Sequence, residues 1–336
     1  MNKMKVLALL VAVLMIAVAF AACSTPSTET PSTESSEAPS QSAEASEEAS
    51  ETVKTIKIGA TYQMLAAPYI VTLKDSCVAT AEAMGGIELI VVDGEGDPAK
   101  QVGQVENFIA QKCDVIILDP QSFDGCAPAV DAANAAGIPI FTLIQKVENQ
   151  DEAITYVGSE AKESGEILAQ MAVDDFGGNA KVVVIEGPMG SDAQIGRYSG
   201  IEAVMNANAG MELVMRQAAD WDRATALALV ENWLQSGMEF DVVLAENDDM
   251  AMGALKAIED LGMLDKIKVY GIDAIPEALT AVQEGKMGGT VFQDAVAQGK
   301  LAIEVAVKIA EGKEKIESSY VIPYVEVRAA DVPKYQ

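Results

Sequence analysis

Between residues 55 and 312, short apolar runs alternate with longer stretches whose apolar positions recur every three to four residues. The runs Thr55–Thr61, Glu88–Asp93, Val115–Asp119 and Pro139–Leu143 predict strands, and the spacing between them predicts helices over Tyr69–Met84, Ala99–Gln111 and Ala127–Ala136. Gly85-Gly86 and Gly137 stand where helix C-caps belong. The alternation then restarts. Strands are expected at Lys181–Ile185, Glu212–Gln217, Asp241–Ala245, Val269–Ile272 and Gly289–Phe292. Helices are expected at Ser164–Phe176, Ala193–Asn208, Arg223–Ser236, Met250–Leu261, Pro276–Glu284 and Val296–Gly312, before an extended tail, Tyr320–Arg328. Such a βαβ series implies parallel sheets with right-handed crossovers. About ten strands exceed one comfortable sheet. The expectation is therefore an α/β protein of two similar doubly wound parallel-sheet lobes, five strands each.

The N-terminus follows a different pattern. Lys3 and Lys5 precede an unbroken apolar run, Val6 to Ala22, and Cys23 follows at once. A basic start, a short apolar core and small residues before a cut site make a secretory signal, residues 1–22, with a retained transmembrane anchor as the second reading of the same run. The ending Ala21-Ala22-Cys23 resembles the lipobox of bacterial lipoproteins, with Phe20 where Leu is usual. That resemblance implies Cys23 as a lipidated mature N-terminus, and two acyl chains suffice for stable anchoring. Ser24 to Thr52 is almost wholly Ser, Thr, Glu, Pro, Ala and Gln. Such a segment cannot bury enough surface to offset its ordering entropy, so residues 23–52 are expected to form a disordered linker.

Charge and composition narrow the function. The net charge of −28 argues against nucleic acid, which calls for a basic footprint. Absence of histidine removes His-based triads, His-ligated zinc and the commonest general base. With Cys23 assigned to lipid, Cys77, Cys113 and Cys126 remain, an odd set in which buried free thiols are expected. Gly94-Glu-Gly96-Asp-Pro-Ala99 matches a dinucleotide fingerprint in outline but follows the second strand, and Asp97-Pro98 reads as an N-cap with Pro at N1. A carboxylate there would occupy the phosphate position.

The candidate chemistry lies at strand ends. Asp241-Val-Val-Leu-Ala-Glu-Asn-Asp-Asp-Met250 runs from a buried strand through four polar residues into an amphipathic helix capped by Asn247 or Asp248. In open α/β sheets the carboxyl ends of strands face the ligand crevice, so Asn247 is either a cap or a ligand contact. Asp273 ends a strand in the same way and is either a contact or the cap of the helix near Pro276. Trp221, in a strand-to-helix loop, either offers a π face to a sugar ring or is plain core, whereas Trp233 sits at apolar helical spacing and reads as core. Arg197, early in a helix, is a solvated charge or a fork for two hydroxyl oxygens.

Taken in order, these segments resemble the ribose-type periplasmic sugar-binding proteins, the solute receptors of ABC importers, over roughly Thr55 to Val327. The resemblance rests on Pro68-Tyr69, Leu73-Lys-Asp75, Asp97-Pro-Ala-Lys100, Ala133-Asn-Ala-Ala-Gly-Ile-Pro139, Arg197-x-x-Gly200, Ala219-Asp-Trp-Asp-Arg223, Asn247-Asp-Asp-Met-Ala-Met-Gly253 and Gly271-Ile-Asp273. It implies two lobes joined by a three-strand hinge, one of residues 53–157 with 294–322, the other of residues 158–293 with 323–336. It also implies ligand contacts at Tyr69, Ile70, Gln145, Arg197, Trp221, Asn247, Asp273 and Gln293. The sequence departs from the ribose pattern at Ile144-Gln145, where Asp-Arg is usual, at Ala66-Ala67 in place of Asn, and at Ile70 and Ile272 in place of aromatics. These changes make the first lobe less polar and place ribose itself in question; a different pentose, a hexose or a polyol with a less polar edge fits them.

The implied protein is a monomeric receptor, lipid-anchored on the extracytoplasmic face of the membrane. It would close on a small carbohydrate and deliver it to an ABC permease, with no cofactor, no metal and no catalytic residue. Three other readings are a sugar sensor for chemotaxis or two-component signalling, a secreted α/β hydrolase using carboxylates such as Asp248, Asp249 and Asp273, and the sensing core of a LacI-type repressor. The last requires a basic helix-turn-helix before Thr55, where this chain carries a signal and an acidic linker.

Overall fold

The computed structural model describes residues 55–336. The signal segment 1–22, Cys23 and the linker to Thr52 lie outside the described residues. Two six-stranded sheets organise the chain. The first has the order β11-β5-β4-β3-β1-β2, built from β1 (Ile56–Tyr62), β2 (Ile87–Asp93), β3 (Val115–Leu118), β4 (Ile140–Leu143), β5 (Tyr156–Gly158) and β11 (Ser319–Val321). All its pairings are parallel. The second has the order β12-β10-β9-β8-β6-β7, from β6 (Asn179–Glu186), β7 (Gly210–Ala218), β8 (Val242–Ala245), β9 (Lys268–Asp273), β10 (Gly289–Phe292) and β12 (Val325–Val327). Only β12 runs antiparallel, on the edge.

The sequence pattern names four strands in the first lobe and five in the second; β5 is not singled out, and β11 and β12 come from the segment expected as an extended tail. Strand β5 is three residues, Tyr156–Gly158. The tail expected as one extended piece divides around Ile322-Pro323-Tyr324 into β11 and β12, which join different sheets. Proline locks φ and has no N–H to donate, which suits a break between two ladders. The chain passes between the sheets three times: after β5, after β10, and between β11 and β12.

Helices cover both faces of each sheet. Strands β3 and β8 are buried throughout, the mark of parallel strands covered on both sides. In the first lobe, α1 (Pro68–Met84) and α9 (Ala295–Glu311) cover one face and α2 (Pro98–Ala110) with α3 (Ala127–Ala136) the other. In the second, α4 (Ala161–Phe176) and α5 (Asp192–Ala207) lie opposite α6 (Arg223–Gln235), α7 (Asp248–Asp260) and α8 (Pro276–Gln283). Trp233 packs edge-on against Phe240 within this second core, with ring centroids 6.2 Å apart. Helices α4 and α5 meet through glycines. A Cβ on Gly165 would sit 2.0 Å from the carbonyl oxygen of Arg197, and one on Gly200 2.2 Å from that of Lys162. The backbone carrying Arg197 is thereby fixed against α4.

Cys77, Cys113 and Cys126 are free and buried, as the odd count suggested. At Gly94–Ala99 the Asp97 carboxylate accepts from the amides of Ala99 and Lys100. The first donors of α2 are thus already occupied. Among the described residues no helix is long and apolar enough to cross a membrane.

Candidate functional site

A cavity lies at the carboxyl ends of the strands, between the two lobes, with about 520 Å³ of space outside protein atoms, including its opening to solvent. Every side chain assigned above by resemblance lines it. Tyr69, Ile70 and Gln145 come from the first lobe, and Arg197, Trp221, Asn247, Asp273 and Gln293 from the second.

Arg197 is the centre of the second-lobe side. Its guanidinium is buried, donating from Nη1 to the Glu246 carbonyl and from Nη2 to Gln293 Oε1 at 2.9 Å. Asp273 Oδ1 lies 3.9 Å from Nη2, and the indole of Trp221 lies beside the guanidinium carbon at 5.5 Å from the ring centroid. Nε is buried and has no hydrogen-bond partner among the described residues. The solvated-charge alternative for Arg197 does not hold in this structure.

Asn247 caps its helix and also lines the cavity. Its Oδ1 accepts from the Met250 amide at 2.9 Å, which caps α7. Among the described residues no protein group accepts from the other end of the same amide, Nδ2, and the residue lines the cavity. Asp273 is not a cap: α8 begins after Ile275 without any side-chain cap. Its backbone, and that of Ala274, has positive φ, 124° and 60°, turning the chain at the cleft. Burial pushes the Asp273 carboxyl well above the usual carboxylate range, against the pull of Arg197.

Trp221 follows Asp220 in a left-handed turn, with φ of 62° and 55° respectively. The turn lays the indole over Gly187, where a Cβ would come within 2.0 Å of the ring. Trp221 belongs to the second-lobe core and to the cavity wall at once.

The first lobe contributes more carbon. The Tyr69 hydroxyl donates to Gln298 Oε1 at 2.7 Å; Gln298 donates to Ser159 Oγ at 2.8 Å, and Ser159 to the Ile322 carbonyl at 2.6 Å. This chain of bonds ties the wall of the cleft to the passages between the lobes. Gln145 Oε1 accepts from the Ala193 amide of α5 at 3.1 Å. Two more bonds join the lobes beside it: the Lys146 amide to Asp192 Oδ2 at 3.0 Å and the Phe123 amide to the Gly190 carbonyl at 2.9 Å.

Two lining residues with polar side chains escaped the sequence reading. Gln63 follows β1, and its amide nitrogen and backbone N–H both point to the buried Asp119 carboxylate, at 3.3 and 3.2 Å. Its Oε1 is buried with no partner. The strand-end rule that selected Asn247 applies equally to Gln63 and could have found it. Tyr324 stands between β11 and β12, with its hydroxyl within reach of Arg197 and Ser164. The Pro323 that interrupts the tail is its only local signal.

Of the three carboxylates offered for hydrolysis, Asp273 lines the cavity and the other two are placed differently. Asp248 is fully buried behind the cleft, accepting from Thr290 Oγ1 at 2.8 Å and from the Ile275 amide at 3.1 Å. Asp249 is paired with Arg223 at 2.7 Å. Neither lines the cavity. Among the described residues there is no cluster of acidic or sulfur side chains arranged to hold a metal.

A periplasmic binding protein domain matches residues 58–314. The chain belongs to the periplasmic binding protein family. Within that family it is 36% identical over 261 residues to the ribose import binding protein of Bacillus subtilis, covering 78% of this chain and 84% of the relative. It is 34% identical over 285 residues to a putative rhizopine-binding protein of Rhizobium meliloti, covering 83% and 92%. The solved structure of an ABC transporter solute-binding protein from Bacillus halodurans with bound myo-inositol superposes with a TM-score of 0.81 at 36% identity, covering 85% of this chain and 98% of that one. The two-lobe architecture read from the sequence is the architecture of this family.

Proposed function

We propose that this periplasmic binding protein is the extracytoplasmic receptor of an ABC importer, and that it captures a small sugar or polyol between its lobes. The observation that carries the reading is the cavity itself. It is lined from both lobes, and side chains capable of holding hydroxyls (Arg197, Asn247, Asp273 and Gln293) converge on it beside the Trp221 ring. A ligand that bridges the lobes binds the closed state better than the open one and shifts the population toward closure. The three passages between sheets would act as the hinge, with lobe boundaries at 157/158, 293/294 and 322/323. Fixed donors and acceptors suffice for this task, and no bond need be made or broken. Cys23 would carry the lipid, with the acidic linker as a tether and the permease as membrane partner.

The test is thermal unfolding of the purified protein with a panel of pentoses, hexoses and cyclitols. A ligand at 100 times its Kd should stabilise by about 2.7 kcal/mol. An amino acid or nucleoside that shifts the midpoint while no carbohydrate does would refute the substrate class. Hydrolysis of glycosides abolished by Asp273→Asn would refute the receptor itself. Mass spectrometry of the mature protein tests the anchor: a diacylglyceryl group is expected on Cys23, and an unmodified N-terminus would remove it.

A further inference from the structure

The two sides of the cleft differ in chemistry. The second lobe presents Arg197, Asn247, Asp273 and Gln293; the first presents Met64, Ala67, Ile70 and Ile144. The polar groups of the first lobe are largely engaged, the Tyr69 hydroxyl by Gln298 at 2.7 Å and the Gln145 carbonyl oxygen by the Ala193 amide at 3.1 Å. What stays open is one acceptor, Gln63 Oε1, and one donor, the Gln145 amide nitrogen. A ligand hydroxyl turned toward Ile70 and Ile144 would leave water and meet carbon.

Ile144 carries a second, independent signal. Its φ is 54°, in the left-handed region where a β-branched side chain is a genuine outlier. The conformation is enforced from both sides, by the bond of the Ile144 amide to the Val157 carbonyl at 2.8 Å and of the Tyr156 hydroxyl to the Ile144 carbonyl at 3.1 Å. Asn or Asp would occupy this backbone with less strain. What isoleucine supplies there is an apolar surface against the cleft, and an observed outlier of this kind points to a role in the site.

Resting on the reading of the cleft as a polyol site, we propose that the ligand is a sugar or cyclitol bearing an apolar group, a deoxygenated carbon or a methyl ether, on the edge it turns to the first lobe. Ile144 and Ile70 are then the residues that select against a fully hydroxylated ring. Gln63 and Gln145 anchor hydroxyls beside the apolar group, while Arg197, Asn247 and Asp273 hold the opposite edge.

Matched ligand pairs test this by calorimetric titration of the full-length protein: myo-inositol against its mono-O-methyl ethers, and D-galactose against 6-deoxy-D-galactose. At least one modified member should bind about tenfold or more tightly than its parent, the scale of an unmet hydroxyl. Ile144→Asp should remove or invert that ratio. Ile144→Asn serves as a second variant, and both should melt, without ligand, no lower than the wild type because the backbone strain is relieved. The inference is overturned if the parent binds as tightly as its modified partner in every pair, or if the ratio survives both substitutions in folded protein. Binding of no member of either pair by the wild type would also overturn the inference, whereas the polyol reading itself falls only if no carbohydrate of the thermal panel binds.

Discussion

Asp248 ties the stability of the second lobe to pH. It is the first residue of α7, fully buried, with Thr290 Oγ1 at 2.8 and 2.9 Å and the Ile275 amide at 3.1 Å from its oxygens. Burial pushes its carboxyl up to about 7, and the hydrogen bonds from Thr290 and the backbone only partly offset this. In the unfolded chain the same group titrates near 3.8. Between these values the folded state holds a proton that the unfolded state has released, so stability falls as pH rises. Linkage gives a loss of about 2 kcal/mol between about pH 5.5 and about pH 8, out of roughly 4 kcal/mol over the whole span. Asp248→Asn removes the titration while keeping an acceptor for the Ile275 amide and a donor for Thr290. Urea unfolding of both proteins at the two pH values should show the wild type losing about 2 kcal/mol more than the variant on going to the higher pH. Equal losses in the two proteins, or a smaller loss in the wild type, would refute the assignment.

Three further substitutions separate roles that the structure superimposes. Asn247→Asp keeps the acceptor for Met250 and loses the Nδ2 donor. It should leave stability within about 0.5 kcal/mol yet weaken ligand binding about tenfold, whereas Asn247→Ala should also lower unfolding free energy by about 1 kcal/mol. Gln63→Met removes the unpartnered buried oxygen, and titration should show affinity reduced about fivefold or more, at the scale of one hydrogen bond. Asp192→Ala deletes the acceptor for the Lys146 amide between the lobes; small-angle scattering should report a larger radius of gyration without ligand, and an unchanged radius would show that this contact does not hold the lobes together.

The sequence made the large-scale plan legible because both lobes are built from long regular periods. Fully apolar strands such as Val242–Ala245 and helices with caps such as Asp97 announce themselves through local chemistry alone. The segments that escaped are the ones whose structure depends on distant partners. Strand β5 is too short to show an alternation, and the tail expected as one extended piece divides into β11 and β12 because each sheet offers it an edge. The same division runs through the cleft. Arg197 and Asn247 could be found because they stand at helix starts beside strand ends. The commitment of Tyr69 to Gln298, far along the chain, or of Gln145 to Ala193 is a matter of side-chain reach across lobes, which no local pattern encodes. Gln63 differs, since it occupies a strand end, where the local pattern that marks Asn247 is equally present.

The return of the chain to its first lobe also governs how that lobe can come into being. Helix α9 supplies Ala302, Ile303, Val305 and Ala306 to the core beneath β1 and α1, and β11 completes the sheet, yet both are made after the whole of the second lobe. A ribosome that has released only residues up to Phe292 has therefore delivered a first lobe with an open apolar face. Domains that are contiguous in the chain can fold as they emerge; here the earliest segment must wait for one of the last. Contacts of such long sequence separation slow folding, and a chain slow to close is one that stays threadable for as long as it is being passed through a membrane.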